Sequence, residues 1–224
     1  MRKVLFFIFI LGLSIVSSTS LGQTSIQKEK LYDSLKAELL GVHDTDQTIR
    51  LKLDSSFRAN PKEESPLKQS LIDSMVYYDS INIIKVTDII SKYGWLSEKE
   101  VGYKANLTIF SVIQHTPFRT QKKLIPVVEK ALKEGRLKPS HYALFKDRVL
   151  LRQGLKQIYG SQISYDHQSG EHFVAPLENP DHVDERRKLV GLGTLADYVK
   201  RWGMTWNVSE YKKKEYPNLF VGID

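Results

Sequence analysis

The spacing of apolar residues predicts a chain built mainly from helices. Apolar residues recur every three or four positions over residues 25–40 and again over residues 67–93, which is the period of a helix with one buried face. Gly41 and Gly94 follow these stretches directly, and glycine is favoured just beyond a helix end. We therefore expect one helix to end at Gly41, a separate helix to begin a few residues later, and a long helix to end at Gly94.

Two helix starts are marked by their capping residues. Ser65 precedes Pro66, and proline is tolerated at the first helical position because its missing N–H would have no partner there. Ser97 and Glu100 have the spacing of a capping box, in which each side chain accepts a hydrogen bond from a free backbone N–H. The sequence therefore predicts helices that begin after Ser65 and after Ser97.

The segment ANLTIFSVIQH, residues 105–115, is apolar on nearly every side. A helix of this kind lies inside the protein rather than on its surface. Pro117 ends it, which places Gln114 and His115 in the last turn of a buried helix. Two more helices are predicted to follow, at about residues 117–134 and 139–153.

From Leu155 onward the pattern changes to short segments rich in turn residues. The stretches KQIYGSQISY and EHFVAPL, separated by HQSG, predict a β-hairpin with a bulge at Gly160. Two short helices are expected within residues 181–193 and 194–203. The predicted fold class is α+β and mostly α-helical: a single domain over residues 23–224, made of packed helices with a β-hairpin after the central helices.

The N-terminus has the three parts of a secretory signal peptide. Arg2 and Lys3 precede the apolar run VLFFIFILGLSIV, and small residues follow it. We predict that residues 1–22 are removed by cleavage before Gln23 and that the protein is exported, to the periplasm or out of the cell, without a membrane anchor. The alternative is an uncleaved anchor, which the short apolar run disfavours.

Charge and composition limit the kinds of partner and site that the protein can have. The formal net charge is +7, and loss of Arg2 and Lys3 with the signal peptide would lower it to about +5, which is weaker than the dense basic stripe of a nucleic-acid-binding protein. The chain contains no Cys, which excludes disulfides, thiolate zinc sites and cysteine catalysis. Nucleotide-binding, serine-hydrolase and HExxH motifs are also absent. We therefore predict no metal, no cofactor and no nucleic-acid partner.

Candidate site residues occur where polar side chains lie beside apolar ones. Gln114 and His115 end the buried helix, and Asp147 and Arg148 are adjacent charges within YALFKDRVLL. Adjacent helical residues lie about 100° apart, so at least one of the two charges faces the protein or its edge. These side chains either line a pocket in which His115 acts as a base or are structural, as a helix cap and as salt bridges.

Two further polar pairs fall on the predicted helices. Asp46 and Arg50 have the i, i+4 spacing of an ion pair, which usually lies on the surface. Asp79 and Asn82 interrupt an apolar helix, so they either belong to a hydrogen-bond network or mark the solvent face.

The segment QIYGSQ, residues 157–162, carries two glutamines around an aromatic residue and a glycine. On a strand, Gln157 and Tyr159 share a face, and a bulge at Gly160 could turn Gln162 toward them. Amide groups and a tyrosine suit a neutral polar ligand such as a sugar or a peptide. The same groups equally suit a structural hydrogen-bond lock between the hairpin and the buried helix.

Short motifs in a fixed order connect the chain to a known family. They are DQxxR at 46–50, DxxN at 79–82, GW at 94–95, VG at 101–102, QH at 114–115, DRV at 147–149, QxYGSQ at 157–162 and RRxxxGL at 186–192. The chain resembles the bacterial family called domain of unknown function 6624, over about residues 30–202. Leu96, Thr116 and Ser161 depart from its usual proline, alanine and threonine. The resemblance implies positions and no reaction.

Two functions fit these residues. In the first, the protein is a hydrolase acting on a small polar ligand: His115 is the general base, Asp147 orients it, and Arg148, Gln157 and Gln162 stabilise an anionic or polar group of the substrate. In the second, the protein is a non-catalytic binding module that contacts another envelope protein, and its polar motifs only lock the fold.

Overall fold

The computed structural model describes residues 18–60, 65–166 and 169–221. The apolar run of the predicted signal peptide, residues 4–16, lies outside the described residues. Within the described part of the chain, no helix is long and apolar enough to cross a membrane.

The described chain is mostly α-helical, with one small antiparallel sheet after the central helices, so the predicted fold class is confirmed. The elements in chain order are α1 (Ser18–Ala59), α2 (Pro66–Tyr93), α3 (Glu98–Val101), α4 (Tyr103–His115), α5 (Phe118–Lys133), α6 (Pro139–Arg152), β1 (Ile163–Asp166), β2 (Glu171–Val174), α7 (Val183–Leu189), α8 (Leu195–Val199) and α9 (Val208–Tyr211).

The first helix continues through Gly41, so the prediction of a helix end there is wrong. Leu39 and Val42, on either side of the glycine, are almost completely buried. The apolar stripe of α1 therefore continues across Gly41 and packs against α2 and α4. A glycine inside a helix costs about 1 kcal/mol relative to alanine, and this burial on both sides outweighs that cost.

The predicted helix starts are confirmed. The Ser65 hydroxyl accepts a hydrogen bond from the Lys68 N–H at 3.3 Å, with Pro66 at the first helical position of α2. At the start of α3, the Glu100 carboxylate accepts the backbone N–H of Ser97 at 2.7 Å and its hydroxyl at 2.8 Å. These interactions are local, which is why the sequence alone specifies them.

Helix α4 is central to the main core, as its pattern predicted. Ile109 and Ile113 are completely buried, and the helix packs against α1, α2, α3 and α5. It ends at His115 because Thr116 is extended, with φ −71° and ψ 157°, as expected for a residue that precedes proline. The end of α4 therefore lies inside the helical layer, where side chains from α1 can reach it.

The β-hairpin begins later than predicted. Its strands pair from Ile163 opposite Val174 to Asp166 opposite Glu171, and residues 157–162 form a loop before them, so the predicted strand with a bulge at Gly160 is wrong. Gln157 makes only an isolated parallel bridge, to Leu177. The segment leaves the strand conformation because the N–H groups of Ile158, Tyr159, Ser161 and Gln162 are bound by side chains instead of by a neighbouring strand.

A second, smaller core lies beneath the hairpin. It joins the hairpin to the two short helices that follow it, and its buried members are Val174, Leu177, Val183, Leu195 and Val199. Gly160 contacts this core: its φ is 66°, and a Cβ there would lie 3.1 Å from Leu195 Cδ2. Glycine is therefore required at this position both for the left-handed backbone and for the close contact.

Candidate functional site

His115, at the C-terminal end of α4, lies against a carboxylate that comes from the middle of α1. Its Nδ1 is 3.1 Å from Oδ1 of Asp46. The Asp46 side chain is 2% exposed and the His115 side chain 24% exposed. The carboxylate is thus fixed inside the protein, while part of the imidazole remains accessible to solvent.

Arg50 joins this pair to a second carboxylate. Its Nη2 lies 2.6 Å from Oδ1 of Asp79 on α2 and 3.2 Å from Oδ1 of Asp46. Arg50 follows Asp46 by one turn of α1, so the i, i+4 spacing brings its guanidinium back over the carboxylate. We call His115, Asp46, Arg50 and Asp79 the His115 group.

The two carboxylates of the His115 group have pKa values shifted in opposite directions. Burial alone would raise the pKa of Asp46, but the hydrogen bond and charge of His115, the charge of Arg50 and a hydrogen bond from Gln47 together lower it. For Asp79, burial is the larger effect and raises the pKa, although Arg50 opposes it. The fold therefore favours the ionised form of the carboxylate that contacts His115 and disfavours the ionised form of Asp79.

Asp147 contacts the 157–162 loop, and the carboxylate that contacts His115 is that of Asp46 and not, as predicted, that of Asp147. The Asp147 side chain is completely buried on α6. It accepts backbone N–H groups from Ile158 at 2.7 Å, from Tyr159 at 3.0 Å and from Ser161 at 2.9 Å. Burial raises the pKa of Asp147, and these hydrogen bonds act in the opposite direction.

The two glutamines of QIYGSQ close the loop on itself and on the hairpin. Nε2 of Gln157 donates to the carbonyl groups of Gln162 at 3.0 Å and of Ala175 at 2.8 Å. Its Oε1 accepts the Gln162 N–H at 2.8 Å, and Nε2 of Gln162 donates to the hydroxyl of Ser161 at 3.0 Å. Both donors of the completely buried Gln157 amide are thus used within the protein.

Residues of α7 and α8 hold the carbonyl groups of the same loop. Arg186 donates to the carbonyl of Ile158 at 2.8 Å, and Arg187 donates to that of Tyr159 at 2.7 Å. The hydroxyl of Tyr198 donates to another loop carbonyl at 2.8 Å. These side chains were missed as site residues, although the RRxxxGL motif of the family resemblance contains two of them.

Gln114 and Arg148 lie between the His115 group and the loop, because Nε2 of Gln162 is also 3.4 Å from the Leu144 carbonyl and Arg148 interacts electrostatically with both Arg50 and Tyr198. Nε2 of Gln114 lies 3.4 Å from the carbonyl of Leu144 on α6. One turn beyond Arg148, Arg152 donates to the carbonyl of Thr116 at 2.9 Å. The row formed by residues 144, 148 and 152 therefore faces the C-terminal end of α4.

The predicted site residues divide between two places. Gln114 and His115 lie at the C-terminal end of α4, which contacts the α6 row that contains Arg148, whereas Asp147, Gln157, Tyr159 and Gln162 belong to the loop and its anchor. Asp46, Arg50 and Asp79 were noticed only as separate polar pairs. The DQxxR and DxxN motifs mark these three residues as family positions, as QH marks His115, but they do not show that the residues meet.

A cavity elsewhere on the molecule offers less chemistry. A cavity of about 620 Å³ is lined by Ser97, Glu98, Lys99, Glu134, Gly135 and Arg136. Its guanidinium is already paired, because Nη1 of Arg136 lies 2.6 Å from Glu100 and 2.9 Å from the carbonyl of Trp95. Among the described residues, no cluster of three or more His, Asp and Glu side chains is arranged to hold a metal ion.

The chain belongs to the Family of unknown function (DUF6624), whose model matches residues 33–208. This confirms the predicted family, and the matched range contains the His115 group, the 157–162 loop and the side chains that anchor it. No curated protein and no solved structure matches the chain.

Proposed function

We propose that this member of the DUF6624 family is an exported hydrolase of a polar ligand, with His115 as its general base and Asp46 as the residue that orients it. The contact of 3.1 Å between Nδ1 of His115 and Oδ1 of Asp46 carries the proposal. A buried carboxylate on one imidazole nitrogen fixes the orientation and the tautomer of the ring.

The proposed mechanism follows from which nitrogen of the His115 ring contacts Asp46. With Nδ1–H donated to Asp46, the lone pair of the imidazole lies on Nε2. Nε2 removes a proton from a water molecule, the water oxygen attacks the substrate, and the imidazolium returns the proton to the leaving group. The lowered pKa of Asp46 supports this scheme, because an ionised carboxylate stabilises the imidazolium formed during the reaction.

Hydrolysis of three chromogenic substrates tests the proposal. The full chain is assayed with the para-nitrophenyl esters of acetate and phosphate and with a para-nitrophenyl glycoside. For the substrate that is turned over, we expect His115→Asn to lower kcat/KM at least about a hundredfold, as for the loss of a general base. Asp46→Asn should lower it by at least about tenfold, because the ring would lose its fixed tautomer.

A matched control exists on the surface. His182 pairs with Glu185 at 3.0 Å, with side chains 57% and 75% exposed, so it is a histidine–carboxylate pair without a fixed environment. His182→Asn should leave kcat/KM unchanged. Equal activity of His115→Asn and His182→Asn would overturn the proposed mechanism.

Export is supported by the sequence of the N-terminus. Arg2 and Lys3 precede the apolar run, and the predicted cut between Gly22 and Gln23 would fall within the first turns of α1. The mass of the protein recovered from a periplasmic extract tests this part of the proposal. A mass that corresponds to residues 23–224 is expected, and recovery of the intact chain from the cytoplasm would contradict it.

The second candidate function is a non-catalytic binding module. The 157–162 loop favours it, because Asp147 and Gln157 use their polar atoms on the backbone of the protein itself. This alternative predicts no turnover with any of the three substrates. It also predicts that His115→Asn leaves binding of an envelope partner unchanged.

A further inference from the structure

Among the described residues, no carboxylate pairs with the guanidinium of Arg148. Its Nε is buried and has no hydrogen-bond partner among the described residues. No carboxylate in that part of the chain forms a salt bridge with Arg148, and the buried carboxylate of its sequence neighbour Asp147 accepts backbone N–H groups of the 157–162 loop instead. A buried charged donor that lacks a partner carries a desolvation cost, which a bound anion would offset.

The surroundings of Arg148 are positive. Burial is the main cause that lowers its pKa to about 10, and the next is the charge of Arg152, one turn further along α6. Arg50 contributes in the same direction, while the hydroxyl of Tyr198 opposes it. The arginines that surround this point come from two different helices, α1 and α6.

The position of Arg148 links it to the His115 group. It occupies the middle of the row on α6 whose ends contact Gln114 and Thr116, the residues on either side of His115. Arg50, which acts on Arg148 electrostatically, also binds both carboxylates of the His115 group. An anion bound at Arg148 would therefore lie beside the imidazole.

We propose that Arg148 binds an oxyanion of the ligand, a phosphate or a carboxylate group, next to His115. The inference rests on the proposed function only for the location of the ligand, since anion binding requires no turnover. A guanidinium offers paired N–H donors that match two oxygens of such a group. Arg148 thereby determines that the substrate is anionic and sets which end of it faces the base.

Isothermal titration of the full chain at low salt tests the proposal with two probes, inorganic phosphate and acetate. Saturable binding of at least one probe is expected, and the stronger probe identifies the kind of oxyanion. Arg148→Met should weaken that binding by at least about tenfold, as for the loss of a charge-assisted pair. Arg148→Lys retains the charge and should weaken it by a smaller factor.

Two further variants serve as controls. Arg58→Met removes an exposed arginine that is paired with Asp54 at 2.9 Å, and it should leave phosphate and acetate binding unchanged. His182→Asn removes an exposed histidine that is paired with Glu185 at 3.0 Å, and it should change the binding constant by less than about twofold. The far-UV circular dichroism of each variant is compared with that of the wild type.

The outcomes separate this inference from the proposed function. Anion binding that depends on Arg148, without turnover of any substrate, would support the inference and contradict the hydrolase. The inference is overturned if neither probe binds to the wild type, or if a folded Arg148→Met binds as well as Arg58→Met. If Arg148→Met does not fold, binding by Arg148→Lys at full wild-type strength would overturn the guanidinium's specific role.

Discussion

Two buried aspartates organise two different regions of this molecule. Asp147 binds the backbone N–H groups of the 157–162 loop, whereas Asp46 binds the side chains of His115, Arg50 and Gln47. Both carboxylates are almost completely buried. They differ in their partners. Asp147 binds neutral N–H groups that are fixed in a loop, whereas Asp46 binds side chains, one of which, His115, can gain or lose a proton.

This difference in partners suggests that Asp147 has a structural role and that Asp46 belongs to a region that could carry out chemistry. A carboxylate saturated by backbone N–H groups specifies one loop conformation and has no free lone pair to use elsewhere. The His115 group shares its carboxylates among ionisable side chains, and its imidazole is partly exposed. We therefore expect substitutions around Asp147 to change stability and substitutions around His115 to change activity.

The largest effect on stability is expected for Asp147→Ala. The substitution leaves the N–H groups of Ile158, Tyr159 and Ser161 without their acceptor, and at about 1–3 kcal/mol for each buried donor left unpaired the loss should be about 3–5 kcal/mol. The free energy of unfolding, measured by urea denaturation, should fall by about that amount. The exposed Asp54 is the control, and Asp54→Ala should change it by less than about 0.5 kcal/mol.

Gln157→Ala should have the next largest effect. It removes both donors that hold the carbonyl groups of Gln162 and Ala175 and the acceptor of the Gln162 N–H. Each buried group left without a partner costs about 1–3 kcal/mol, so we expect a loss of roughly 2–4 kcal/mol in thermal or urea unfolding. The exposed Gln153 supplies the control. If the two variants unfolded alike, Gln157 would not be part of a lock.

The extent to which the sequence predicted these regions depends on the range of the interactions. The Ser97–Glu100 capping interaction spans three positions and was predicted correctly. Gly41 was misinterpreted because its helix is stabilised by packing against α2 and α4, which a local pattern cannot show. The partnership of Asp46 with His115 joins residues 69 positions apart, so no spacing rule applies to it.

The QIYGSQ segment shows a different limit. Its place among short segments rich in turn residues suggested a strand, but Asp147 on α6 accepts the N–H groups that a strand would offer to a neighbour. The DRV and QxYGSQ motifs indicated that Asp147 and the loop both matter. They could not indicate that one binds the other, because motif order contains no contact information.

Gly160→Ala should destabilise the loop by a smaller amount. Its φ of 66° costs an alanine about 1–2 kcal/mol, and the new Cβ would also lie 3.1 Å from Leu195 Cδ2. Gly191 has a φ of 75° but no atom within 4 Å of such a Cβ, so Gly191→Ala measures the conformational cost alone. The difference between the two unfolding free energies therefore reports the contact with Leu195. Equal losses of unfolding free energy in the two variants would show that Leu195 moves away from the new Cβ at no measurable cost.

The smallest effects, and the sharpest test of the His115 group, are in the pH dependence of stability. The pKa of Asp46 is lowered on folding, so its ionised form stabilises the protein above the unfolded pKa of 3.8, and that contribution is lost as the pH falls through the folded pKa. The pKa of Asp79 is raised, so the fold gains stability as the pH falls through that value. The unfolding free energy is measured at pH 6 and at pH 3 for the wild type and each variant. Its fall between the two pH values should be smaller in Asp46→Asn than in the wild type, and larger in Asp79→Asn. Each change should be about 1 kcal/mol or less, the range of a partly exposed ion pair. If the pH dependence of the unfolding free energy changed with the same sign in both variants, the two carboxylates would titrate as one unit. Folding would then not favour the ionised form of Asp46 over that of Asp79.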